Sequence, residues 1–282
     1  MVKGGLSDSH NGETVRMAIK DARMERIETA VIPAAGYGSR MRPLTAVIPK
    51  EMFPLGSLPI IEHTVAELLA SGIRRIGVVI RKDKEEIKEY LNMRKSSYQD
   101  IELEFVYQKS PLGLGDALRT ARDFIQGTPF VMAIPDQLLL SEKPATQQLL
   151  DVCKNGSGIW NSMVQIPKRE RGFFKGSRPF KYSKGDGKYY LIQDISTDKT
   201  SKIRGFGRTV FLPEALEYMT EEFINRETGE IDFFKTYQAL KNQFPLYGIL
   251  LKGKPCDVGT WKGYYFYQKS ILQHLCPKEK IA

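Results

Sequence analysis

The stretch that decides the fold is TAVIPAAGYGSRMRPLTAVIPKEMFP, residues 29–54. It opens with an apolar run that is typical of a buried strand. Four small residues follow at Ala34, Ala35, Gly36 and Gly38. Because small side chains let a backbone approach a ligand closely, amides here can surround phosphate oxygens. The stretch therefore predicts a strand that leads into an anion-binding loop.

Two cations follow the small residues, Arg40 and Lys50. They supply the positive charge that phosphate groups require. A tight strand-to-helix turn uses the same Gly-x-Gly letters, so this spacing alone does not separate the two interpretations. The segment is neither a P-loop nor a dinucleotide fingerprint, because no Gly-Lys-Ser/Thr follows and Gly38 has no glycine three residues later.

Strand-like and helix-like segments alternate through the first half of the chain. Strands are predicted at 29–35, 75–80, 103–107 and 130–134, and helices at 60–70, 84–93 and 116–124. This alternation predicts an α/β fold with a doubly wound, mostly parallel, Rossmann-like sheet. In the second half, strands predicted at 159–166, 189–195, 203–211 and 246–251 indicate a smaller β region. We expect a single domain over 28–270, an N-terminal extension at 1–27 and a C-terminal tail at 271–282.

The formal net charge of +9 is concentrated in one stretch. Residues 168–208 contain twelve Lys or Arg and four Asp or Glu. Such a run is either a solvated basic face or a docking surface for an anion. We expect no nucleic-acid partner, because the stretch lacks the aromatic spacing and the helical reading motifs that bind nucleic acids.

Neither a membrane segment nor a secretion signal is predicted. The sequence has no run of about 18 apolar residues, and no hydrophobic segment follows its first charges. Its three cysteines match no zinc or redox spacing, which a reducing compartment tolerates. We therefore expect a cytoplasmic protein without a membrane partner.

Two carboxylates stand at positions suited to a ligand. Asp136 follows the apolar strand predicted at 130–134, and the carboxyl ends of strands in open α/β sheets face the ligand crevice. Asp257 lies in KGKPCDVGTWKGY, before a glycine and a predicted helix. Either residue alone fits a helix cap or a turn as well as a metal site.

Residues 30–54 resemble the signature of sugar-phosphate nucleotidyltransferases, and the PKEMFP box is most similar to the bacterial UTP:glucose-1-phosphate uridylyltransferase (UDP-glucose pyrophosphorylase) branch. The resemblance extends over about residues 29–270. The signature fits at Gly36, Gly38, Ser39, Arg40, Pro43, Thr45, Pro49, Lys50, Glu51 and Pro54. The family more often has Thr at the position of Ser39, which keeps the hydroxyl.

The resemblance implies an enzyme that transfers a nucleotidyl group, here from UTP, to a sugar 1-phosphate, here glucose 1-phosphate. Pyrophosphate is released, and Mg²⁺ is the cofactor. The residues implied are Arg40 and Lys50 for catalysis, Ala34, Ala35, Gly36, Gly38, Gln108 and Gly113 for the nucleotide, and Asp136 and Asp257 for the metal.

The sugar side departs from the family. Asp198-Lys199-Thr200 stands where the family has Glu-Lys-Pro, which implies Lys199 as the cation for the sugar phosphate. The resemblance also implies that Gly172 and Glu230 contact the sugar. Transfer from dTTP or CTP, a non-catalytic sensor of nucleotide sugars, and a homo-oligomer therefore stay open.

Overall fold

The computed structural model describes residues 26–98, 100–153, 158–198, 200–226 and 229–275. The strands within these residues are β1 (Thr29–Pro33), β2 (Pro54–Leu55), β3 (Leu58–Pro59), β4 (Arg75–Ile80), β5 (Glu102–Tyr107), β6 (Phe130–Ala133), β7 (Gln137–Leu140), β8 (Ile159–Gln165), β9 (Phe180–Lys184), β10 (Tyr190–Ile195), β11 (Ile203–Phe211), β12 (Leu246–Leu250) and β13 (Lys254–Asp257). The α-helices are α1 (Ile60–Ala70), α2 (Glu85–Arg94), α3 (Leu114–Thr120), α4 (Arg122–Ile125), α5 (Ala145–Val152), α6 (Phe233–Gln243) and α7 (Trp261–Leu275). Most of the predicted extension at 1–27, and the tail beyond 275, lie outside the described residues.

Four neighbouring strands, in the order β5-β4-β1-β6, form a parallel half-sheet. β1 lies between β4 and β6, and its Ala30 pairs with Ile76 on one side and Val131 on the other. β1, β4 and β6 are buried on both faces, which explains their continuous apolar sequences. β5 lies at the edge of the sheet and is partly exposed, with Glu102 and Glu104 in its sequence. Because the strands are parallel, their carboxyl ends meet at one edge of the sheet.

Side chains of β1 alternate between two hydrophobic cores. Ala30 and Ile32 pack in one core with residues of α1 and α2, whereas Val31 packs in the other with residues of α3 and α4. Helix α1 buries Ile61, Val65 and Leu68 of its apolar stripe, as its spacing predicts. Helices on both faces confirm the doubly wound α/β prediction. None of the described helices is long and apolar enough to cross a membrane.

The remaining strands extend the sheet in the order β6-β11-β8-β12-β10-β9. Within the described sheet only β11 and β10 run opposite to β1, so the sheet is mostly parallel, as predicted. β9 lies within the basic stretch 168–208 and was not predicted. It is an edge strand, paired only with β10 in the described sheet, and most of its residues are polar and partly exposed. Its sequence therefore shows only weakly the alternation of apolar and polar residues by which a strand is recognised.

A separate antiparallel ladder joins β7 and β13, two short strands that the sequence did not predict. Its register pairs Asp257 with Gln137, the residue that follows Asp136. Neither four-residue strand alternates or forms a fully apolar run as β6 does, so tertiary pairing defines them. This ladder therefore brings Asp257, from the last part of the described chain, close to Asp136.

Candidate active site

The loop after β1 holds its shape through local contacts. The amide of Ala34 donates to Val79 O at 2.8 Å, which keeps the loop against the end of β4. Gly38 adopts a left-handed conformation with φ of 64°, and a β-carbon there would lie 3.1 Å from Thr45 Cγ2. The hydroxyl of Thr45 donates to Gly38 O at 2.9 Å. A β-carbon on Gly36 would meet nothing within 4 Å, so the loop is open there to a ligand.

A chain of alternating charges lies beneath this loop. Lys84 donates to Ala34 O at 2.7 Å and to Glu51 Oε2 at 2.8 Å. Glu51 Oε1 lies 4.0 Å from Lys50 Nζ, and Lys50 donates in turn to Asp136. Burial disfavours the charged amine of Lys50, but Asp136 and Glu51 outweigh it and raise the pKa of Lys50. Burial lowers the pKa of Lys84, and Glu51 opposes that effect.

Asp136 and Asp257 are brought together around Gly259. The amide of Gly259 donates to Asp257 Oδ1 at 3.0 Å. A β-carbon on Gly259 would lie 2.3 Å from Asp136 Oδ2 and 3.3 Å from Asp257 Oδ1, so only glycine leaves both carboxylates in place. Gln137 donates to the other oxygen of Asp257, Oδ2, at 3.2 Å.

The two carboxylates differ in their electrostatics. Burial, followed by the negative charge of Asp136, raises the pKa of Asp257 to about 7. Burial acts on Asp136 in the same sense, but Lys50 outweighs it and lowers the pKa of Asp136. The charge of Arg40, an exposed residue, also favours the ionised form of both carboxylates.

Two adjacent buried carboxylates fit a hard divalent cation. Such a cation takes oxygen ligands, and it completes its coordination with water and substrate phosphates. Within the described residues no group of three or more His, Cys, Asp or Glu side chains is placed to hold a metal. Asp136 and Asp257 would therefore share the cation with a bound phosphate rather than enclose it.

A cleft of about 220 Å³ opens beside the loop, and we call it the loop cleft. Four residues predicted to bind the nucleotide line it: Ala35, Gly36, Gln108 and Gly113. Glu230, which was predicted to contact the sugar, lines it as well. Gly113 has φ of 94°, and a β-carbon on it would lie 3.1 Å from Glu230 Cβ. Glu230 therefore lies beside the nucleotide residues.

The amide of Gln108 is buried in this cleft and held in one orientation. Its Nε2 donates to Asp116 Oδ2 at 2.6 Å and to Gly113 O at 3.4 Å. Asp116, on the first turn of α3, was not predicted as a site residue. In the sequence, Asp116 is an acidic residue on the first turn of a predicted helix. Acidic residues are common there because they interact favourably with the helix dipole, so the position gave no sign of a role in the site.

A second cleft, of about 120 Å³, opens towards β8 and β11, and we call it the sheet cleft. It shares Leu114 and Ile134 with the loop cleft, so the two adjoin. Its polar lining residues are Gln137, Asn161, Ser162, Ser177, Arg178, Thr209 and Tyr237. None of these was predicted, because they come from five separate segments that only the folded sheet assembles.

Of the predicted sugar residues, Gly172 is not brought to these clefts, and one other lies outside the part of the chain that the structure describes. Lys199 lies outside the described residues. Gly172 is exposed and does not line either cleft, and a β-carbon on it would meet nothing within 4 Å. The nearby segment from Gly176 to Phe180 contributes to the sheet cleft instead.

Known proteins are similar to this chain over most of its length. The family model described as "Nucleotidyl transferase" matches residues 29–171. A protein of Bacillus subtilis (strain 168) named "Putative UTP--glucose-1-phosphate uridylyltransferase" is 31% identical over 84% of this chain and 94% of its own length. A second protein of that organism, "UTP--glucose-1-phosphate uridylyltransferase", is 27% identical over 86% of this chain and 89% of its own length.

The solved structures agree with the fold. The crystal structure of an apo UDP-glucose pyrophosphorylase superposes with a TM-score of 0.78, at 22% identity, over 88% of this chain and 98% of that chain. The family match contains the loop, Lys50 and Asp136, and the relatives extend the similarity across most of the chain. The chain therefore belongs to the nucleotidyl transferase family.

Proposed function

We propose that this protein transfers a uridylyl group from UTP to glucose 1-phosphate, which yields UDP-glucose and pyrophosphate. One observation carries the proposal: Lys50 contacts Asp136, and Asp136 and Asp257 flank Gly259, with Asp257 bonded to Gln137 in the wall of the sheet cleft. The relatives named for this reaction support the choice of UTP and glucose 1-phosphate over other pairs.

The reaction needs positioning and charge neutralisation more than proton transfer. The phosphate oxygen of the sugar attacks the α-phosphorus of the triphosphate, and this nucleophile is already anionic at neutral pH. Two polyanions must therefore be held in line while charge gathers on the leaving pyrophosphate. Arg40 and Lys50 are the cations of this chain that we assign to the triphosphate and the reacting phosphates.

A divalent cation, which we propose is Mg²⁺, would be held by Asp136 and Asp257, and it would neutralise phosphate charge during transfer. Lys50 would then exchange its contact with Asp136 for contacts with phosphate oxygens. Both carboxylates must be ionised for this role, and the burial of Asp257 makes its ionisation depend on a nearby positive charge.

The held amide of Gln108 supports a pyrimidine with an N–H on its pairing edge. Because Nε2 of Gln108 donates to Asp116, the amide offers its oxygen to the base. Uracil and thymine present an N3–H that such an oxygen accepts, whereas N3 of cytosine is itself an acceptor. The loop cleft thus favours UTP or dTTP over CTP, and we assign the backbone of Ala34, Ala35, Gly36, Gly38 and Gly113 to the rest of the nucleotide.

The sugar 1-phosphate is assigned to the sheet cleft, because this cleft adjoins the loop cleft at Leu114 and Ile134, and because its lining residue Gln137 donates to Asp257. Lys199, Gly172 and Glu230 stay predictions for its phosphate and hydroxyl contacts. The domain limits 28–270, a cytoplasmic location and self-association also stay predictions. Uridylyl transfer itself depends on none of these assignments.

A matrix of nucleoside triphosphates against sugar 1-phosphates, read by pyrophosphate release, tests the proposal. We expect the highest kcat/KM with UTP and glucose 1-phosphate, and dependence on added Mg²⁺ after treatment with EDTA. A higher kcat/KM with dTTP would replace uridylyl by thymidylyl transfer. If the protein binds UDP-glucose but releases no pyrophosphate with any pair, it is a sensor and not an enzyme.

A further inference from the structure

One buried amide connects the sheet cleft with the carboxylate pair. Gln137 is 6% exposed, and its Nε2 donates both to Ser177 Oγ at 3.0 Å and to Asp257 Oδ2 at 3.2 Å. The side chain also lines the sheet cleft. A single amide group therefore contacts the site assigned to the metal and a wall of the site assigned to the acceptor.

The fold restricts the position of this amide. The ladder of β7 and β13 pairs Gln137 directly with Asp257, and paired residues of antiparallel strands have neighbouring side chains. On the other side lies Gly207 of β11, where a β-carbon would come within 3.1 Å of Gln137 Oε1. Glycine at this point of β11 therefore leaves the space that the amide occupies.

The chemistry of residue 137 is also suited to its neighbours. Asp257 is buried beside Asp136, so a further carboxylate at position 137 would add repulsion, and an apolar side chain would remove a hydrogen bond to the charged form. A neutral donor orients Asp257 without adding charge. Groups that hold a metal ligand in this way act on metal affinity without touching the metal.

We propose that Gln137 is a positioning residue that orients Asp257 for the metal and ties it to Ser177 in the wall of the acceptor cleft. Metal binding and acceptor binding are thereby linked through one side chain. This inference rests on the proposed function, because that function assigns the metal to Asp257 and the sugar 1-phosphate to the sheet cleft.

The variant Gln137→Leu tests the link, because it removes both donated bonds at similar length. The dissociation constant of Mn²⁺ alone, measured by electron paramagnetic resonance, should rise about tenfold. The KM for glucose 1-phosphate should rise as well, while the KM for UTP stays within about twofold of wild type. Equal Mn²⁺ dissociation constants in wild type and variant would overturn the proposal.

Two further variants keep the test valid if Gln137→Leu fails to fold, and the second also separates the two bonds. Gln137→Asn keeps a neutral amide but shortens the side chain by one methylene, so it should lose its reach to both partners and raise the Mn²⁺ dissociation constant and the KM for glucose 1-phosphate, as Gln137→Leu does. Ser177→Ala loses only the bond on the acceptor side. It should raise that KM and leave Mn²⁺ binding within about twofold of wild type.

Gln148→Leu is the matched control. The Gln148 amide also joins two segments, because it donates to Lys143 O and Lys252 O, each at 2.9 Å, and accepts from Lys252 N at 2.8 Å, but it is only half-buried and lines neither cleft. It should leave Mn²⁺ binding and both KM values unchanged. If it raised the Mn²⁺ dissociation constant as much as Gln137→Leu does, the effect would be general loosening and the proposal would be wrong.

The proposed function and this inference fail in different ways. A wild-type protein that releases no pyrophosphate with any substrate pair refutes the proposed function. The Mn²⁺ titrations need no turnover, so they still decide whether Gln137 positions Asp257.

Discussion

The ammonium group of Lys84 lies 2.8 Å from Glu51 Oε2, and the side chains are only 5% and 1% exposed. The same ammonium group donates to the carbonyl oxygen of Ala34, the first residue of the loop after β1. Lys84 thus connects the loop to the segment that carries Lys50. Both links are buried, so they are not weakened by solvent as a surface ion pair is.

We expect Lys84→Met to lower the free energy of unfolding by about 3 kcal/mol, because it removes the hydrogen-bonded cation of the buried Glu51 carboxylate and leaves only Lys50, 4.0 Å away. Chemical denaturation measures this loss. Arg122→Met is the control, since Arg122 pairs with the exposed Glu217 and should cost less than about 1 kcal/mol.

The double variant Lys84→Met/Glu51→Gln decides the cause of this loss. It removes the charge of Glu51 and should recover more than half of the lost stability. A double variant as unstable as Lys84→Met would show that the bond to Ala34 O, and not the ion pair, carries the effect.

Gly259→Ala should abolish metal binding and reduce kcat to less than about a tenth of wild type. The reason is steric, since the new methyl group would lie 2.3 Å from Asp136 Oδ2. Pyrophosphate release and Mn²⁺ titration measure the two effects, with the thermal midpoint as a check on folding. Full activity in this variant would place the reacting groups elsewhere.

The pKa of Asp257, raised to about 7, makes metal binding depend on pH. Below that value the carboxyl group is protonated in the folded protein, and a metal must displace the proton. We therefore expect Mn²⁺ to raise the thermal midpoint less at about pH 5.5 than at about pH 7.5. Asp257→Asn should remove this difference, because the amide does not titrate.

The raised pKa of Asp257 also predicts how the stability of the metal-free protein changes with pH. Between the ordinary pKa of an unfolded Asp and about 7, the folded protein holds a proton at Asp257 that the unfolded chain has lost. The contribution of this group to stability therefore falls as pH rises through that window. A contribution that rises with pH, measured against Asp257→Asn, would contradict the raised pKa.

Arg40→Ala and Lys50→Ala should both reduce turnover strongly but differ in stability. Arg40 is exposed, so its loss should leave the thermal midpoint unchanged. Lys50 is the partner of the buried Asp136, and its removal leaves two neighbouring carboxylates to repel each other. We expect a lower midpoint for Lys50→Ala, which added Mn²⁺ partly restores.

Local sequence was sufficient for the fold class and for the strand and open loop that begin the fold. The strand at residue 29 and helix α1 are recognisable because their apolar periods arise within a single segment. Gly38, Thr45 and Lys50 lie within a dozen residues of one another, so a linear motif could describe them. The family resemblance rests on that motif.

Only the tertiary structure decided how the site is assembled. Asp136 and Asp257 are far apart in sequence, and they meet through a ladder of two strands whose sequences show neither alternation nor a fully apolar run. Glu51, Lys84 and Gln137 carry no local signal of their roles, because their partners come from distant segments. Spacing along a chain predicts contacts within a helix, a strand or a turn, whereas contacts between elements depend on how the sheet pairs its strands.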